Sequence, residues 1–170
     1  MIVYISMDDT DNRDSRGTGQ LARATAAHLS VIYPLSGIIR HQLFFDQRIP
    51  YTKNNSSAAI LLNTPDGADL QAIFQQVKEL MLADFQPGSD PGLCVAADVP
   101  EEVIHFGRRT KVDLVTQEEA RRLAAVHHIL LEGLGGSEGG VIGALAAVGL
   151  AARGEGGRYV AGGGLRQLSG

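Results

Sequence analysis

The first 21 residues, MIVYISMDDTDNRDSRGTGQL, constrain the fold most, because a short apolar run leads into carboxylates and then into a glycine turn. Ile2 to Ile5 are β-branched or aromatic, and the run is too short and continuous for an amphipathic helix, so it predicts a buried strand. Asp8, Asp9 and Asp11 follow directly. Carboxylates this close repel one another unless a cation shares them, and hard oxygen ligands suit Mg²⁺. The stretch therefore predicts a magnesium site made by Asp8, Asp9 and Asp11.

A simpler interpretation of the same carboxylates stays open. In this interpretation residues 8–14 are an ordinary loop between a strand and a helix, in which an aspartate or serine caps the helix and the other carboxylates face water. The remainder of the chain has to decide between a metal site and a solvated loop.

Hydrophobic periodicity predicts alternating strands and helices along the chain. Strands are expected at 2–5, 37–45, 57–62, 93–99, 127–131 and, at a sheet edge, 158–160. Helices are expected at 20–32, 66–85, 101–109, from Thr116 with a capping box to Glu119, and at 141–152. We expect an α/β fold, with α+β as the alternative, in which helices pack on a single mixed sheet of about five or six strands. In this interpretation residues 1–160 form one domain, and residues 161–170 form a glycine-rich tail.

Composition excludes several classes of protein. Of the 170 residues, 44% are hydrophobic and 20% are charged, and the net charge is −4. This net negative charge does not indicate a nucleic-acid-binding protein. A single cysteine, Cys94, excludes a disulfide framework and a thiolate zinc site, and it suits the cytoplasm. We expect no membrane segment, since the most apolar late stretch, 141–152, is too short to span a bilayer. No targeting signal precedes the first strand, so we expect a cytoplasmic protein.

The polar loop between the second and third predicted strands, DQRIPYTKNNS, is dense in hydrogen-bond donors. Arg48, Lys53, Asn54 and Asn55 could all face phosphate oxygens. An ordinary hairpin loop with solvated charges is the alternative.

A glycine-rich turn, EGLGGSEGGVIG, lies between the fifth predicted strand and the last predicted helix. Backbone NH groups in such a turn, before a helix, can cradle phosphate. The glycines concerned are Gly135, Gly136, Gly139 and Gly140. The turn is neither a P-loop nor a dinucleotide fingerprint. Alternatively, Gly139, Gly143 and Ala147 only let the helix pack tightly on its neighbours, and one set of glycines can serve both purposes.

The spacing of the histidines in the sequence predicts no metal site. His127 and His128 are adjacent in a predicted strand, so their side chains should point to opposite faces and could not readily share one metal ion. No histidine spacing resembles a zinc motif.

The order of these motifs resembles the kinase-like catalytic domain of tRNA(Ile) agmatinylcytidine synthetase. The resemblance runs over roughly residues 1–152: DDTD after the first strand, a glycine turn and helix, Arg40, then IPYTKNNSSA, and finally the glycine turn before VIGALAAVGLA. That archaeal enzyme uses ATP to activate a wobble cytidine before agmatine attacks. The resemblance implies Mg²⁺ at Asp8, Asp9 and Asp11, nucleotide phosphates near Lys53 and the glycine turn, and phosphoryl or pyrophosphoryl transfer.

The sequence departs from that family at three places. In the polar loop Thr52 precedes Lys53, and asparagines and serines follow where the family has arginine and glycines. Where the family has a threonine pair after the first glycine turn, this chain has Gln20 and Leu21, with Thr18 displaced nearby. The synthetase also continues into RNA-binding and zinc-bearing domains. We therefore expect a smaller or protein-presented acceptor, and no tRNA modification unaided.

The sequence thus predicts an ATP-dependent, kinase-like transferase or ligase component with Asp9, Asp11 and Lys53 as catalytic residues. Binding of Mg-ATP is expected to involve Thr18, Arg48, Lys53, Asn54, Asn55, Gly135, Gly136, Gly139 and Gly140. Two alternatives remain: a nucleotide- or metal-binding module or partner subunit without turnover, and a haloacid-dehalogenase-like phosphatase, whose motif wants threonine where this chain has Arg13. Small-residue helices are also compatible with a homodimer.

Overall fold

The fold is known from a computed structural model. It describes residues 1–8, 18–42, 56–83, 91–110, 115–134, 140–153 and 157–161. Within these ranges the strands are β1 Ile2–Asp8, β2 Leu35–Gln42, β3 Ser56–Asn63, β4 Gly92–Ala96, β5 Leu130–Gly133 and β6 Gly157–Ala161. The helices are α1 Thr18–Leu29, α2 Leu70–Ala83, α3 Glu101–Arg109, α4 Gln117–Val126 and α5 Gly140–Arg153.

The strands form one six-stranded sheet in the order β5-β4-β1-β3-β2-β6. This confirms an α/β fold with a single sheet, but the expectation of a mixed sheet is wrong, because all strand pairs among the described residues are antiparallel. Continuous apolar strands are typical of parallel sheets, whose two faces are both covered. Here helices cover both faces of an antiparallel sheet, so its central strands are equally apolar.

Alternation along β1 shows how the two faces are used. Val3, Ile5 and Met7 are fully buried in a core that also contains residues of α1 and α2. The intervening side chains, among them Ser6 and Asp8, contact α5 on the opposite face. β1 therefore lies at the centre of a three-layer arrangement, and its polar carboxyl end meets α5.

Helix α5 is buried along nearly its whole length, with alanine, valine and leucine side chains packed against the sheet and against α3. A helix that is apolar on all sides needs such a buried position. Glycine permits the close approach at two points: a Cβ on Gly92 of β4 would overlap the backbone of Gly140, and a Cβ on Gly149 would overlap the carbonyl of Val103 in α3. Of the residues expected to allow tight packing, Gly143 and Ala147 are buried against the sheet, and Gly139 lies outside the described residues.

The remaining elements follow the sequence predictions in order and type, but several ends differ. Helix α2 begins at Leu70 instead of residue 66, and β4 ends at Ala96 instead of residue 99. Helix α1 ends at Leu29, before Ile32, and Val31 is 86% exposed. The predicted strand 127–131 is wrong at its start: His127 caps the carboxyl end of α4, His128 has a φ of 56°, and β5 begins at Leu130. The apolar HHILL pattern does not show that α4 ends in a turn containing both histidines. Because His127 and His128 lie in a turn, the expectation that their side chains point to opposite faces of a strand does not apply.

Candidate site at one end of the sheet

One row of paired residues crosses all six strands at one end of the sheet. In strand order these residues are Gly133, Gly92, Asp8, Ser57, His41 and Gly157. We call this set the terminal row. At this end β1, β2 and β5 finish and β3, β4 and β6 begin, and the amino end of α5 lies against it. Chain continuity therefore attaches the DDTD segment, the polar loop and the glycine turn to the same end of the sheet.

Asp8 is the acidic residue of the terminal row. It is 6% exposed, and its carboxylate lies against Gly143 in the first turn of α5, where a Cβ would overlap it. The partial positive charge at a helix amino end stabilises a nearby anion. The structure thus holds one carboxylate of the predicted magnesium set at a buried position that favours negative charge, and glycine at 143 provides the space for it.

Ser57 is the direct neighbour of Asp8 on β3. Opposed residues of antiparallel strands share a sheet face, with Cβ atoms about 5 Å apart. Ser57 is fully buried, and its Oγ has no hydrogen-bond partner among the described residues. Nearly all buried hydroxyls are paired, so an unpaired one beside a buried carboxylate points to a polar group that enters from outside the sheet.

The structure locates three of the predicted site residues. Asp8 is in the terminal row, Gly140 begins α5 with its backbone against Gly92, and Thr18 begins α1. The other predicted residues lie outside the described residues: Asp9, Asp11, Arg48, Lys53, Asn54, Asn55, Gly135, Gly136 and Gly139. Within the described ranges there is no group of three or more His, Cys, Asp or Glu side chains that could hold a metal ion.

Sequence reasoning missed Ser57 and the pairing of Gly143 with Asp8. The pattern around Ser57 predicts only the start of a strand, although a serine at the edge of an apolar run next to a polar loop is a usable signal. The spacing of Gly143 in the sequence predicts only close packing of the helix. Linear sequence could not show that its missing side chain makes room for a carboxylate 135 positions earlier.

Behind the terminal row the sheet is closed by small side chains. The Ser6 hydroxyl donates to the carbonyl of Ala144 in α5. Cys94, opposite Ser6 on β4, is fully buried, and burial raises the pKa of its thiol far above the ordinary value. The thiol therefore stays protonated and shielded, which excludes Cys94 as a nucleophile and confirms it as a small core residue.

A concavity of about 570 Å³ lies between α3 and α4, away from the terminal row. Its floor includes Phe106 and Leu123, and its rim carries both signs of charge. Arg109 Nη1 lies 2.9 Å from Glu119 Oε2 across the two helices. Arg109, one of the two arginines in the last turn of α3, thus pairs with a carboxylate of the protein itself, which makes it less available to an anionic ligand.

The fold of the described residues is similar to that of part of tRNA(Ile2) agmatidine synthetase. The apo crystal structure of TiaS, the tRNAIle2 agmatidine synthetase, superimposes with a TM-score of 0.71 at 23% identity. The TiaS–tRNA(Ile2)–ATP complex gives 0.72 at 23% identity, and the TiaS–tRNA(Ile2)–AMPCPP–agmatine complex gives 0.69 at 22%. The resemblance inferred from the motifs is therefore confirmed at the level of the fold.

The match covers 87–88% of this chain but only 35–36% of the TiaS chains, so this chain spans about a third of their length. No protein-family model matches the sequence, and no curated protein does either. Among the described residues, no helix is long and apolar enough to cross a membrane.

Proposed function

We propose that this chain is a magnesium-dependent ATP-binding domain that transfers a phosphoryl or pyrophosphoryl group to an acceptor. One observation carries the proposal: the terminal row holds a buried carboxylate at the amino end of α5, at the end of the sheet to which the DDTD segment, the polar loop and the glycine turn are attached. Complexes of structurally similar TiaS with ATP and with AMPCPP support a nucleotide at such a domain.

The residues present fit a hydrated divalent cation and a polyphosphate. Asp8 supplies a buried oxygen ligand, and Asp9 and Asp11 follow it in sequence, so these three would hold Mg²⁺. When bound, Mg²⁺ would neutralise charge on the phosphate oxygens. The unpaired Ser57 hydroxyl adds a polar atom beside the carboxylate that protein atoms among the described residues leave unused.

The cationic and amide groups of the attached segments complete the proposed site. Lys53 and Arg48 would bind and orient phosphate oxygens, with Asn54, Asn55 and Thr18 as hydrogen-bond donors. The backbone NH groups of residues 135–140 would do the same at the start of α5. In phosphoryl transfer most of the catalysis comes from positioning and charge stabilisation. Cationic side chains, amide groups and backbone NH groups are the types of group that provide both.

The proposed acceptor of the phosphoryl or pyrophosphoryl group is a small molecule, or a group presented by a partner protein. The chain's net charge of −4 provides no broad surface for tRNA. We place the activity in the cytoplasm, in one kinase-like domain of residues 1–160 followed by a tail of residues 161–170.

The test is calorimetric titration of ATP with and without Mg²⁺, followed by chromatography of the nucleotide products. The native protein is compared with an Asp9→Asn, Asp11→Asn double variant. A charge-matched control carries Asp66→Asn and Asp98→Asn, which follow the opposite ends of β3 and β4 and are exposed. We expect magnesium-dependent binding in the native protein and the control, and its loss in the site variant.

The products separate the candidate functions. AMP indicates pyrophosphoryl transfer and ADP indicates phosphoryl transfer, whereas tight binding with unchanged ATP, with candidate acceptors present, supports the module without turnover. Release of phosphate from simple esters without ATP would indicate the phosphatase. Failure of the native protein to bind ATP at any magnesium concentration would refute the proposal.

A further inference from the structure

The described residues contain two buried hydroxyl groups without a hydrogen-bond partner, Thr25 Oγ1 and Ser57 Oγ. Thr25 lies on α1 and is 1% exposed. Ser57 lies in the terminal row, paired with Asp8 on one side and with His41 on the other. The two hydroxyls thus differ in surroundings: only the hydroxyl of Ser57 is the cross-strand neighbour of a buried carboxylate.

A buried hydroxyl without a partner destabilises the fold, and alanine at position 57 would avoid the loss. The neighbouring positions 58 and 59 are alanines that pack without such a group. A serine whose hydroxyl has no partner among the described residues is explained if its oxygen is used when a ligand is present. The register with Asp8 restricts what that ligand is, because the two side chains share a sheet face beside the first turn of α5.

An anion alone is a poor partner for this pair, since Asp8 repels it. A divalent cation is a good one, because a carboxylate and a hydroxyl are both hard oxygen ligands and Mg²⁺ or Mn²⁺ retains water molecules that donate to nearby oxygens. The absence of a side chain at Gly143 leaves room for the Asp8 carboxylate beside the first turn of α5, where a Cβ would overlap it.

We propose that Ser57 is a ligand residue of a divalent-cation site, where its hydroxyl oxygen binds the cation or a water of the cation's hydration shell beside Asp8. This inference rests on the proposed function, which supplies the cation, and adds to it a ligand group outside the DDTD segment. Ser57 belongs to β3, so the cation would join two neighbouring strands rather than one loop.

The test uses Mn²⁺ alone as the probe, measured by electron paramagnetic resonance of the free ion with the full chain and no nucleotide. Ser57→Ala should weaken Mn²⁺ binding about tenfold, the value of one hydrogen bond to a charged group, while the thermal midpoint stays equal or rises. Thr25→Val is the matched control, since it removes the other unpaired hydroxyl at nearly constant volume. It should leave Mn²⁺ binding unchanged.

A second variant distinguishes a ligand from a structural residue. Ser57→Cys replaces the hard oxygen with sulfur, so Mg²⁺ competition against Mn²⁺ should weaken whereas Cd²⁺ competition should strengthen. A purely structural serine would not change the order of metal preference. This variant also keeps the proposal testable if Ser57→Ala does not fold.

The outcomes separate this inference from the proposed function. Native protein that binds Mn²⁺ and Mg-ATP, with Ser57→Ala and Ser57→Cys unchanged in affinity and metal preference, overturns the role of Ser57 and leaves the proposed function standing. Native protein that binds no Mn²⁺, with or without ATP, overturns the metal site of the proposed function and this inference with it.

Discussion

Replacing Gly143 by alanine tests the contact on which the candidate site depends. A Cβ at position 143 would overlap both Oδ2 and Cγ of Asp8 and would come within 2.9 Å of the Asp8 Cβ. Rotation of the side chain can move the carboxylate away, but the Asp8 Cβ is fixed to β1. Therefore α5 itself has to shift by a few tenths of an ångström, even after the carboxylate has moved.

Two opposing terms set the magnitude. Glycine to alanine inside a helix ordinarily stabilises by about 1 kcal/mol. Overpacking a buried contact costs about 1–3 kcal/mol. Combining the two terms, we expect Gly143→Ala to lower the free energy of unfolding by roughly 1 kcal/mol. At an ordinary helix position the same substitution would raise it by about 1 kcal/mol. Because the carboxylate is displaced, Mn²⁺ affinity should also fall, by about tenfold or more if one charged ligand contact is lost.

Urea denaturation of a double-mutant cycle measures this coupling. Asp8→Ala removes the overlapping oxygen and Cγ, so Gly143→Ala should be tolerated better in that background, with an interaction energy of about 1–2 kcal/mol within the range for residues in contact. Gly143→Ala that stabilises the native protein by about 1 kcal/mol, with additive behaviour and unchanged metal binding, would refute the contact between α5 and Asp8.

Two further predictions concern the core and a helix cap. Burial raises the pKa of the Cys94 thiol, so the unfolded chain loses this proton first and stability falls as pH rises above about 8.5, by up to about 1.4 kcal/mol per pH unit. Between pH 7 and pH 10 the free energy of unfolding, measured by urea denaturation, should fall less for Cys94→Ala than for the native protein. Burial also raises the pKa of Tyr4, and both proteins retain Tyr4, so its contribution cancels. Equal declines in the two proteins would contradict the prediction. Thr116 Oγ1 accepts from Glu119 N at 3.1 Å, so Thr116→Ala should cost about 1 kcal/mol and Thr116→Ser much less, as thermal unfolding can show.

Local signals in the sequence predicted most elements because those elements depend on local chemistry. Thr116 caps the amino end of α4 as expected, by accepting from the backbone N–H of Glu119. Helix α2 buries Ile73, Phe74, Val77 and Met81 at helical spacing. The edge strand expected at 158–160 is β6. In each case neighbouring residues alone determine the pattern, through hydrogen bonds within one turn or through one apolar face.

Strand direction and side-chain pairing were not predictable in the same way, because they depend on residues far apart in sequence. The apolar runs showed that strands were buried on both faces, but not that β1 lies antiparallel to both β3 and β4. The importance of Ser57 follows only from its register with Asp8, 49 positions earlier in the chain. A histidine pair in an apolar run likewise does not reveal that α4 continues to Val126.

The two interpretations of the glycine-rich segment, tight packing and phosphate binding, are physically linked through α5. Packing brings the helix so close that Gly140 contacts Gly92 and Gly143 contacts Asp8. The same closeness places the amino end of the helix, with its partial positive charge, beside the carboxylate of the terminal row. Larger side chains on α5 would move the helix away from the sheet and separate these groups. The small residues that stabilise the layer are therefore also the ones that assemble the proposed cation and phosphate site.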